Sequence, residues 1–238
     1  MGRFSEPLAP KFVDQVGAAP GQSALDVGCG PGALTAALVD RLGAGQVSAV
    51  DPSESFVAAL HERLPDVQVQ SGAAEALPFE DDTFDLALAQ LVVHFMKDPV
   101  AGLAEMARVT KPGGIVAANV WDHARGNGPV TVFWTAVHTL DPAEEHEATM
   151  PGIREGHLAE LFTQAGLTPE ETTLSVDAHF ESFDDWWIPY TKGVGPAGEY
   201  VKKLDDAGRE RLRQAATGIV PDGPFDLPAQ AWCVSARV

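Results

Sequence analysis

The sequence predicts an α/β fold in which a mostly parallel sheet carries helices on both faces. From residue 23 onward, short apolar runs typical of buried strands alternate with segments of helical periodicity. Such an alternation implies right-handed crossovers between parallel strands, with the helices packed on the two faces of the sheet. A chain of 238 residues is long enough to bury the core of one large domain.

The individual elements follow from local signals. The first strand, at 23–27, is mostly apolar and ends in glycines, and the helix at 33–42 stops before Gly43. Pro65 follows the helix predicted at 53–64, and Gly166 follows the helix predicted at 155–164. Further strands are predicted at 46–50, 67–70, 84–89, 114–120, 174–180 and 230–238, and further helices at 53–64, 101–109 and 155–164.

Two excursions, at 122–155 and 181–218, interrupt this regular pattern. We expect residues 1–20 to form an N-terminal arm with a short helix, and residues 21–238 to form the main domain, which includes both excursions. The excursions contain Phe133, Trp134, Phe183, Trp186, Trp187 and Tyr190. Such aromatic clusters can wall an apolar ligand pocket, form a small core that fixes the excursion, or make a homodimer contact. The first interpretation places both excursions on the ligand-binding rim.

The charge balance narrows the possible partners. There are 34 acidic residues and 16 lysines and arginines, which gives a formal net charge of −18. Nucleic-acid binding needs a clustered positive field, so no nucleic-acid partner is expected. The two cysteines, Cys29 and Cys233, form no CxxC pair, and no metal site is predicted. No apolar stretch approaches the length of a membrane span, and a cytoplasmic protein with reduced thiols is expected.

The turn after the first strand is the most informative stretch. Gly28 and Gly30 lie where a strand turns into a helix, within the sequence LDVGCGPG at 25–32. Residues without Cβ adopt tight backbone conformations and let a ligand lie against the main chain. The following helix also offers unpaired N–H groups, and ligands bind at this edge of an open parallel sheet. We therefore predict a ligand site here, although a glycine turn can also serve only as a connection.

Asp51 ends the second strand, 23 residues after Gly28. A carboxylate at this place can accept hydrogen bonds from both hydroxyls of an adenosine ribose. The alternative is a helix entry in which Ser53 caps the next helix. The residues from Gly28 to Ala33 also satisfy G-x-G-x-x-A, the dinucleotide fingerprint, so an NAD(P)-dependent oxidoreductase is the first rival function.

Three segments together resemble the class I S-adenosylmethionine-dependent methyltransferases. The run at 25–32 resembles motif I of that family, residues 72–85 resemble its adenine-side loop, and residues 108–114 resemble the turn before its fifth strand. The resemblance is strongest to the branch that contains the ubiquinone and menaquinone biosynthesis methyltransferases, and it covers residues 3–166.

The resemblance implies a Rossmann-like sheet of seven strands, whose last strand is antiparallel and lies beside the fifth. It implies methyl transfer from S-adenosylmethionine to a small-molecule acceptor, with S-adenosylhomocysteine as the product. Whether the methylated atom is oxygen, nitrogen or carbon stays open, and the aromatic excursions favour an apolar or aromatic acceptor. The implied cofactor-binding residues are Asp26, Gly28, Cys29, Gly30, Asp51, Pro52, Ala73, Ala74, Glu75, Gln90 and Leu91.

One position departs from the family pattern. The family commonly has Asp at position 73, where it contacts the adenine amino group, and Ala73 has no side chain that can do so. The N–H of Ala74 or the side chain of Glu75 must then compensate. This departure keeps a second rival open, a binding protein that kept the fold and lost the chemistry.

His94 is the candidate catalytic residue, because it follows the fourth strand on the rim that faces the cofactor. A neutral imidazole at this place can take a proton from the methyl acceptor. The alternative is that His94 only packs or caps the turn, and His123, just after the fifth strand, is a weaker candidate. Cys29 is interpreted as a small packing residue, although a helix N-terminus can activate a thiol.

Overall fold

The structure is a computed structural model that describes residues 2–144, 149–193 and 195–238. Residue 1 of the predicted arm, residues 145–148 of the first excursion and residue 194 of the second lie outside the described residues. The strands are β1 (Ala24–Val27), β2 (Val47–Asp51), β3 (Gln68–Ser71), β4 (Phe84–Gln90), β5 (Thr110–Trp121), β6 (Glu170–Phe180) and β7 (Phe225–Arg237). They form one sheet in the order β3-β2-β1-β4-β5-β7-β6.

The strand directions confirm the predicted Rossmann-like fold. β1 to β5 run parallel, and β7 runs antiparallel between β5 and β6. The last strand therefore lies beside the fifth, as the family resemblance implies. This arrangement leaves the carboxyl ends of β1, β2, β4 and β5 on a common edge.

Helices cover both faces of the sheet. They are α1 (Gly2–Gln15), α2 (Ala33–Leu42), α3 (Glu54–Arg63), α4 (Pro99–Val109), α5 (Thr131–Leu140), α6 (His157–Gln164), α7 (Phe183–Trp187), α8 (Gly195–Lys203) and α9 (Asp206–Thr217). One apolar layer joins α1, α2 and α5 through Leu8, Leu38 and Phe133. The other joins α4 and α6 through Leu103 and Phe162. None of the described helices is both long and apolar enough to cross a membrane.

β6, at one edge of the sheet, and its neighbour β7 are longer than the sequence predicts. β6 begins at Glu170 and β7 begins at Phe225, four and five residues before the predicted starts. The two strands pair antiparallel from Glu170↔Ser235 to Phe180↔Phe225. The first four residues of β6 are exposed, and only alternate residues after them are buried. Main-chain pairing with β7 therefore extends β6 beyond the part that carries an apolar signal.

The N-terminal helix and the aromatic rings of both excursions pack into one apolar cluster. Phe4 of α1 lies edge-on to Trp121, with ring centroids 6.2 Å apart. The ring of Phe133 stacks on Tyr190 at 4.6 Å, and Trp186 meets Tyr190 edge-on at 5.1 Å. These rings contact one another directly, so they contribute to the folded core whether or not they also border a ligand.

The carboxyl ends of β1 and β4 define where a ligand site is expected. β1 pairs with β2 on one side and with β4 on the other, so the connections leaving β1 and β4 diverge. In an open α/β sheet this divergence leaves a crevice at the strand ends. The residues that follow β1, β2 and β4 therefore meet at one edge of the molecule.

Candidate active site

In the glycine turn after β1, neighbouring atoms leave no room for a side chain at Gly28, whereas the main chain at Gly30 is accessible to a ligand. Gly28, Gly30 and Gly32 have φ values of 73°, 51° and 87°, in the left-handed region that favours glycine. A Cβ on Gly28 would lie 2.5 Å from Cγ1 of Val92, so the packing there excludes a side chain. No heavy atom of the described residues beyond the turn lies within 4 Å of the Cβ position of Gly30. A ligand can therefore approach the main chain at Gly30.

Asp51 is tied to this turn through its carboxylate. Oδ2 accepts the N–H of Gly30 at 2.9 Å, and Oδ1 accepts the N–H of Ser53 at 2.8 Å. Asp51 is buried, but an ionised carboxylate offers about four lone-pair positions, so each oxygen can accept a further donor. Ser53 is the N-cap residue of α3, as the alternative predicts, but within the described chain its side chain makes no capping hydrogen bond.

Asp26, inside β1, is a second buried carboxyl beside the turn. Its Oδ2 accepts the hydroxyl of Thr35 at 2.6 Å. Burial raises the pKa of Asp26 to about 7; the hydrogen bond from Thr35 opposes this rise, and the negative charge of Asp51 adds to it. Burial also raises the pKa of the Cys29 thiol well above its ordinary value, which supports the interpretation of Cys29 as a packing residue.

The segment after β4 brings a strained backbone to the same edge. Leu91 has a φ of 62°, a left-handed conformation that costs a residue with a side chain roughly 1–2 kcal/mol. Its N–H donates to the carbonyl of Asn119 at 2.9 Å. Gln90, just before it, donates from Nε2 to the carbonyl of Ser5 in α1 at 3.0 Å. Strain of this kind clusters at ligand sites, which supports the prediction that Leu91 borders one.

The loop after β3 holds the residues predicted to border the adenine. Ala73 is exposed and Ala74 is buried, and Pro52 is exposed after the end of β2. Oε1 of Glu75 accepts the N–H groups of residues 97 and 98 at 2.7 and 3.1 Å. This contact fixes the loop against the start of α4. The side chain of Glu75 therefore has a structural role in addition to the predicted contact with the adenine.

His94 and His123 follow β4 and β5, and both are buried. Burial lowers the pKa of His94 to about 3, and the charge of His123 adds to this shift. Nδ1 of His94 has no hydrogen-bond partner among the described residues, and its ring lies 4.0 Å from the ring of Phe95. The ring of His123 packs on Gly128, where a Cβ would lie 2.3 Å from Nδ1. His94 is therefore neutral at pH 7 and holds a proton only weakly in this structure.

Sequence reasoning missed two polar residues of this region. Thr35 of α2 binds Asp26, and the main chain of Asn119 in β5 binds Leu91. Asn119 is fully buried. The signal that points to it is a single amide inside the apolar run at 115–120.

Comparisons with known proteins identify the family. Residues 25–118 match the family described as "Methyltransferase domain". A demethylmenaquinone methyltransferase of Bacillus cytotoxicus is 32% identical over 169 residues, which are 62% of this chain and 70% of that protein. A demethylmenaquinone methyltransferase of Renibacterium salmoninarum is 40% identical over 124 residues, which are 52% of this chain and 51% of that protein. The chain spans only 34% to 42% of the length of other curated relatives that it matches.

The YcgJ protein of Bacillus subtilis has the same fold over nearly the whole chain. Its structure superposes with a TM-score of 0.61 at 19% identity, over 98% of this chain and 97% of that one. At this identity the likeness concerns the fold alone. The sequence match to the Bacillus cytotoxicus protein, most of whose length is covered, decides the family. The chain belongs to the class I S-adenosylmethionine-dependent methyltransferase family.

Proposed function

We propose that the protein transfers a methyl group from S-adenosylmethionine to a small-molecule acceptor. The observation that carries this proposal is the open main chain at Gly30, joined by a hydrogen bond to the buried carboxylate of Asp51. A nucleoside can lie along this turn while its ribose hydroxyls donate to the remaining lone pairs of Asp51. Two relatives are named methyltransferases, which supports this choice of cofactor.

The residues of the chain mainly bind and align. S-adenosylmethionine, when bound, supplies an activated methyl group, so the protein contributes chiefly proximity and orientation. We assign the ribose to Asp51, the adenine to Pro52 and residues 73–75, and the methionine end to the glycine turn with the main chain of Gln90 and Leu91. The backbone N–H of Ala74 replaces the acid that the family commonly has at position 73.

His94 is assigned to the methyl acceptor. Because the pKa of His94 is about 3, the imidazole is neutral at pH 7 and can accept a hydrogen bond from an O–H or N–H of the acceptor. In this role it orients the nucleophile by accepting that hydrogen bond. Replacing His94 with Ala should lower turnover by roughly 10²–10⁴-fold if it acts as a base, with cofactor affinity nearly unchanged.

The acceptor side of the proposal follows from composition. The aromatic rings of the two excursions favour an apolar or aromatic small molecule, and the net charge of −18 disfavours nucleic acid.

We further propose that the protein is cytoplasmic and that it consists of an arm at 1–20 and a methyltransferase domain at 21–238. A homodimer formed through the excursions would be detected by sedimentation analysis.

A thermal-shift panel tests the cofactor. S-adenosylhomocysteine should raise the melting temperature of the protein, and NAD and NADP should not, since only ligands that bind the native state stabilise it. If only NAD or NADP stabilised the protein, the proposal would be wrong and an NAD(P)-dependent oxidoreductase would be favoured. Turnover separates an enzyme from a binding protein, because only an enzyme forms S-adenosylhomocysteine when an acceptor is added.

A further inference from the structure

We propose that Gln90 and Asn119, called here the amide pair, bind a neutral polar group of the methyl acceptor, a hydroxyl or a carboxamide. The inference rests on the proposed function, because it assigns the acceptor side of the same site. It adds Asn119, which neither the family resemblance nor the comparisons single out.

The sheet register brings the two amides together. Gln90 ends β4 and lies directly opposite Asn119 of β5 in the parallel ladder. Residues opposite each other on neighbouring strands present their side chains on the same face of the sheet. Asn119 is completely buried, and Gln90 is 9% exposed. Both amides therefore sit on one face at the carboxyl edge, next to the strained Leu91.

Most of the polar atoms of the amide pair have no partner. Nε2 of Gln90 donates to the carbonyl of Ser5, and because that carbonyl can only accept, the orientation of the amide is fixed. Oε1 of Gln90 and both Nδ2 and Oδ1 of Asn119 are buried and have no hydrogen-bond partner in residues 2–144, 149–193 and 195–238. Buried polar groups are nearly always paired, and an exception calls for an explanation.

The chemistry of these atoms defines the group that would pair with them. Two oxygens accept and one amide nitrogen donates, so a complementary group must carry both a donor and an acceptor. Neutral amides do not balance a full charge in a buried place, which favours a hydroxyl or a carboxamide over a carboxylate or an ammonium.

The position of the amide pair separates it from the ribose site. Asp51 ends β2, and two further strands, β1 and β4, lie between it and Asn119 in the sheet. Neighbouring strands are about 4.8 Å apart, so roughly 14 Å separates Asn119 from the end of β2, and we assign the amide pair to the acceptor. Trp121, two residues further along β5, faces the same side and contacts Phe4 of α1. The polar group that pairs with the amides would therefore lie between the sheet and α1, with apolar side chains beside it.

The first test asks whether Asn119 serves the fold. Asn119→Leu replaces an unpaired amide with an apolar side chain of similar size, so the melting temperature of the ligand-free protein should stay unchanged or rise. Asn127→Leu is the contrasting control, because Asn127 is exposed but its Nδ2 donates to the buried side chain of Asp122 at 2.8 Å. This control should lose several degrees. An equal loss in Asn119→Leu, and in Asn119→Ala, which adds no bulk, would assign the amide to the fold and overturn the inference.

The second test asks what the amide pair binds. With the protein saturated by S-adenosylhomocysteine, 2-naphthol and 2-methylnaphthalene are titrated as probes that differ in one hydroxyl. Asn119→Leu should weaken 2-naphthol binding at least ~10-fold, equivalent to ~1.4 kcal/mol, and leave 2-methylnaphthalene unchanged. If the wild-type protein does not prefer 2-naphthol, or if Asn119→Leu binds it equally well, the inference is wrong.

The affinity for S-adenosylhomocysteine tests whether the polar group bound by the amide pair belongs to the acceptor or to the cofactor. Calorimetry should give the same dissociation constant for S-adenosylhomocysteine in wild type and Asn119→Leu. A ~10-fold loss would show that the amide pair binds the methionine end of the cofactor, which overturns the inference and leaves the proposed function in place. If the wild-type protein fails to bind S-adenosylhomocysteine at all, the proposed function itself fails.

Discussion

The carboxylate of Asp51 accepts the backbone N–H of Gly30 at 2.9 Å, so one hydrogen bond links the end of β2 to the turn after β1. The second oxygen of Asp51 accepts the N–H of Ser53, where α3 is about to begin. Two backbone donors thus hold the carboxylate in one orientation before any ligand binds. Such preorganisation reduces the entropy that a ligand must lose on binding.

Replacing Asp51 with Ala should weaken binding of S-adenosylhomocysteine at least ~10-fold. Hydrogen bonds from the ribose hydroxyls to an ionised carboxylate are worth roughly 1.5–3 kcal/mol each, so losing even one produces this change. Isothermal titration calorimetry measures the dissociation constant directly. An unchanged constant would reject the assignment of the ribose to Asp51.

Asp85 offers a matched control for this experiment. Its carboxylate also accepts a backbone N–H, that of Ser23 at 2.8 Å, but it lies at the start of β4, at the far end of the sheet from the glycine turn. Asp85→Ala should lower the melting temperature and leave S-adenosylhomocysteine affinity unchanged. If both variants lose affinity alike, the effect of Asp51→Ala reflects the fold and not the ribose.

Gly30 should tolerate a methyl group in the fold but not in the complex. Gly30 has a φ of 51°, and no described heavy atom outside the turn lies within 4 Å of its Cβ position. Gly30→Ala should therefore cost the free protein only the strain of a left-handed residue, about 1 kcal/mol. A ligand lying on the main chain would meet the added methyl, so S-adenosylhomocysteine affinity should fall at least ~10-fold.

Gly17→Ala controls for the backbone strain in that experiment. Gly17 has a φ of 66° and equally open surroundings among the described residues, but it follows α1, away from the glycine turn. Urea unfolding should give similar stability losses for the two variants, and calorimetry should give an affinity loss for Gly30→Ala alone. Equal affinities in the two variants would show that no ligand lies against Gly30.

The sequence predicts those parts of the fold that local signals determine. β1, β2 and β4 are short, mostly apolar runs, and the turn at Gly28 and Gly30 is predicted from residue type and order. β5 begins at Thr110, before its apolar run, because Thr110 pairs with Phe84 of β4. The start of β6 could not be predicted, because its first residues are exposed and only pairing with β7 holds them in the strand.

The parts of the site that sequence reasoning missed depend on contacts between different elements. The bond between Thr35 and Asp26 joins a helix to a strand, and the amide pair arises from the register of β4 and β5. His94 could be placed after β4 from the sequence, but its burial depends on segments that follow much later. Periodicity carries no information on such contacts, since they depend on how whole elements pack.

Asp26 should make the protein less stable as the pH rises from about 4 to 7. Its pKa is raised from 3.8 to about 7, so in this range the native state binds a proton that the unfolded state has lost. Stability from this group is greatest below pH 4 and is lost as the carboxyl ionises in the folded protein. Asp26→Asn should therefore be more stable than wild type at pH 8, by roughly 4 kcal/mol if the whole shift is expressed. Urea unfolding at pH 5 and pH 8 measures the difference, and a variant equally stable relative to wild type at both values would contradict it.

His94 should make the protein less stable as the pH falls, which is the opposite of the effect of Asp26. Its pKa is lowered from 6.5 to about 3, chiefly by burial, so below pH 6.5 the unfolded state takes up a proton that the native state cannot. Stability is therefore lost as the pH falls from 6.5 toward 3. His94→Leu removes this group, so its stability should fall less than that of wild type between pH 7 and pH 4.5. Asp26→Asn, measured over the same interval, should fall more than wild type, because it lacks the carboxyl that regains a proton in the folded state. Opposite deviations of the two variants in urea unfolding would assign both shifts, whereas a wild-type slope in His94→Leu would mean that the imidazole is solvated and able to serve as a base near neutral pH.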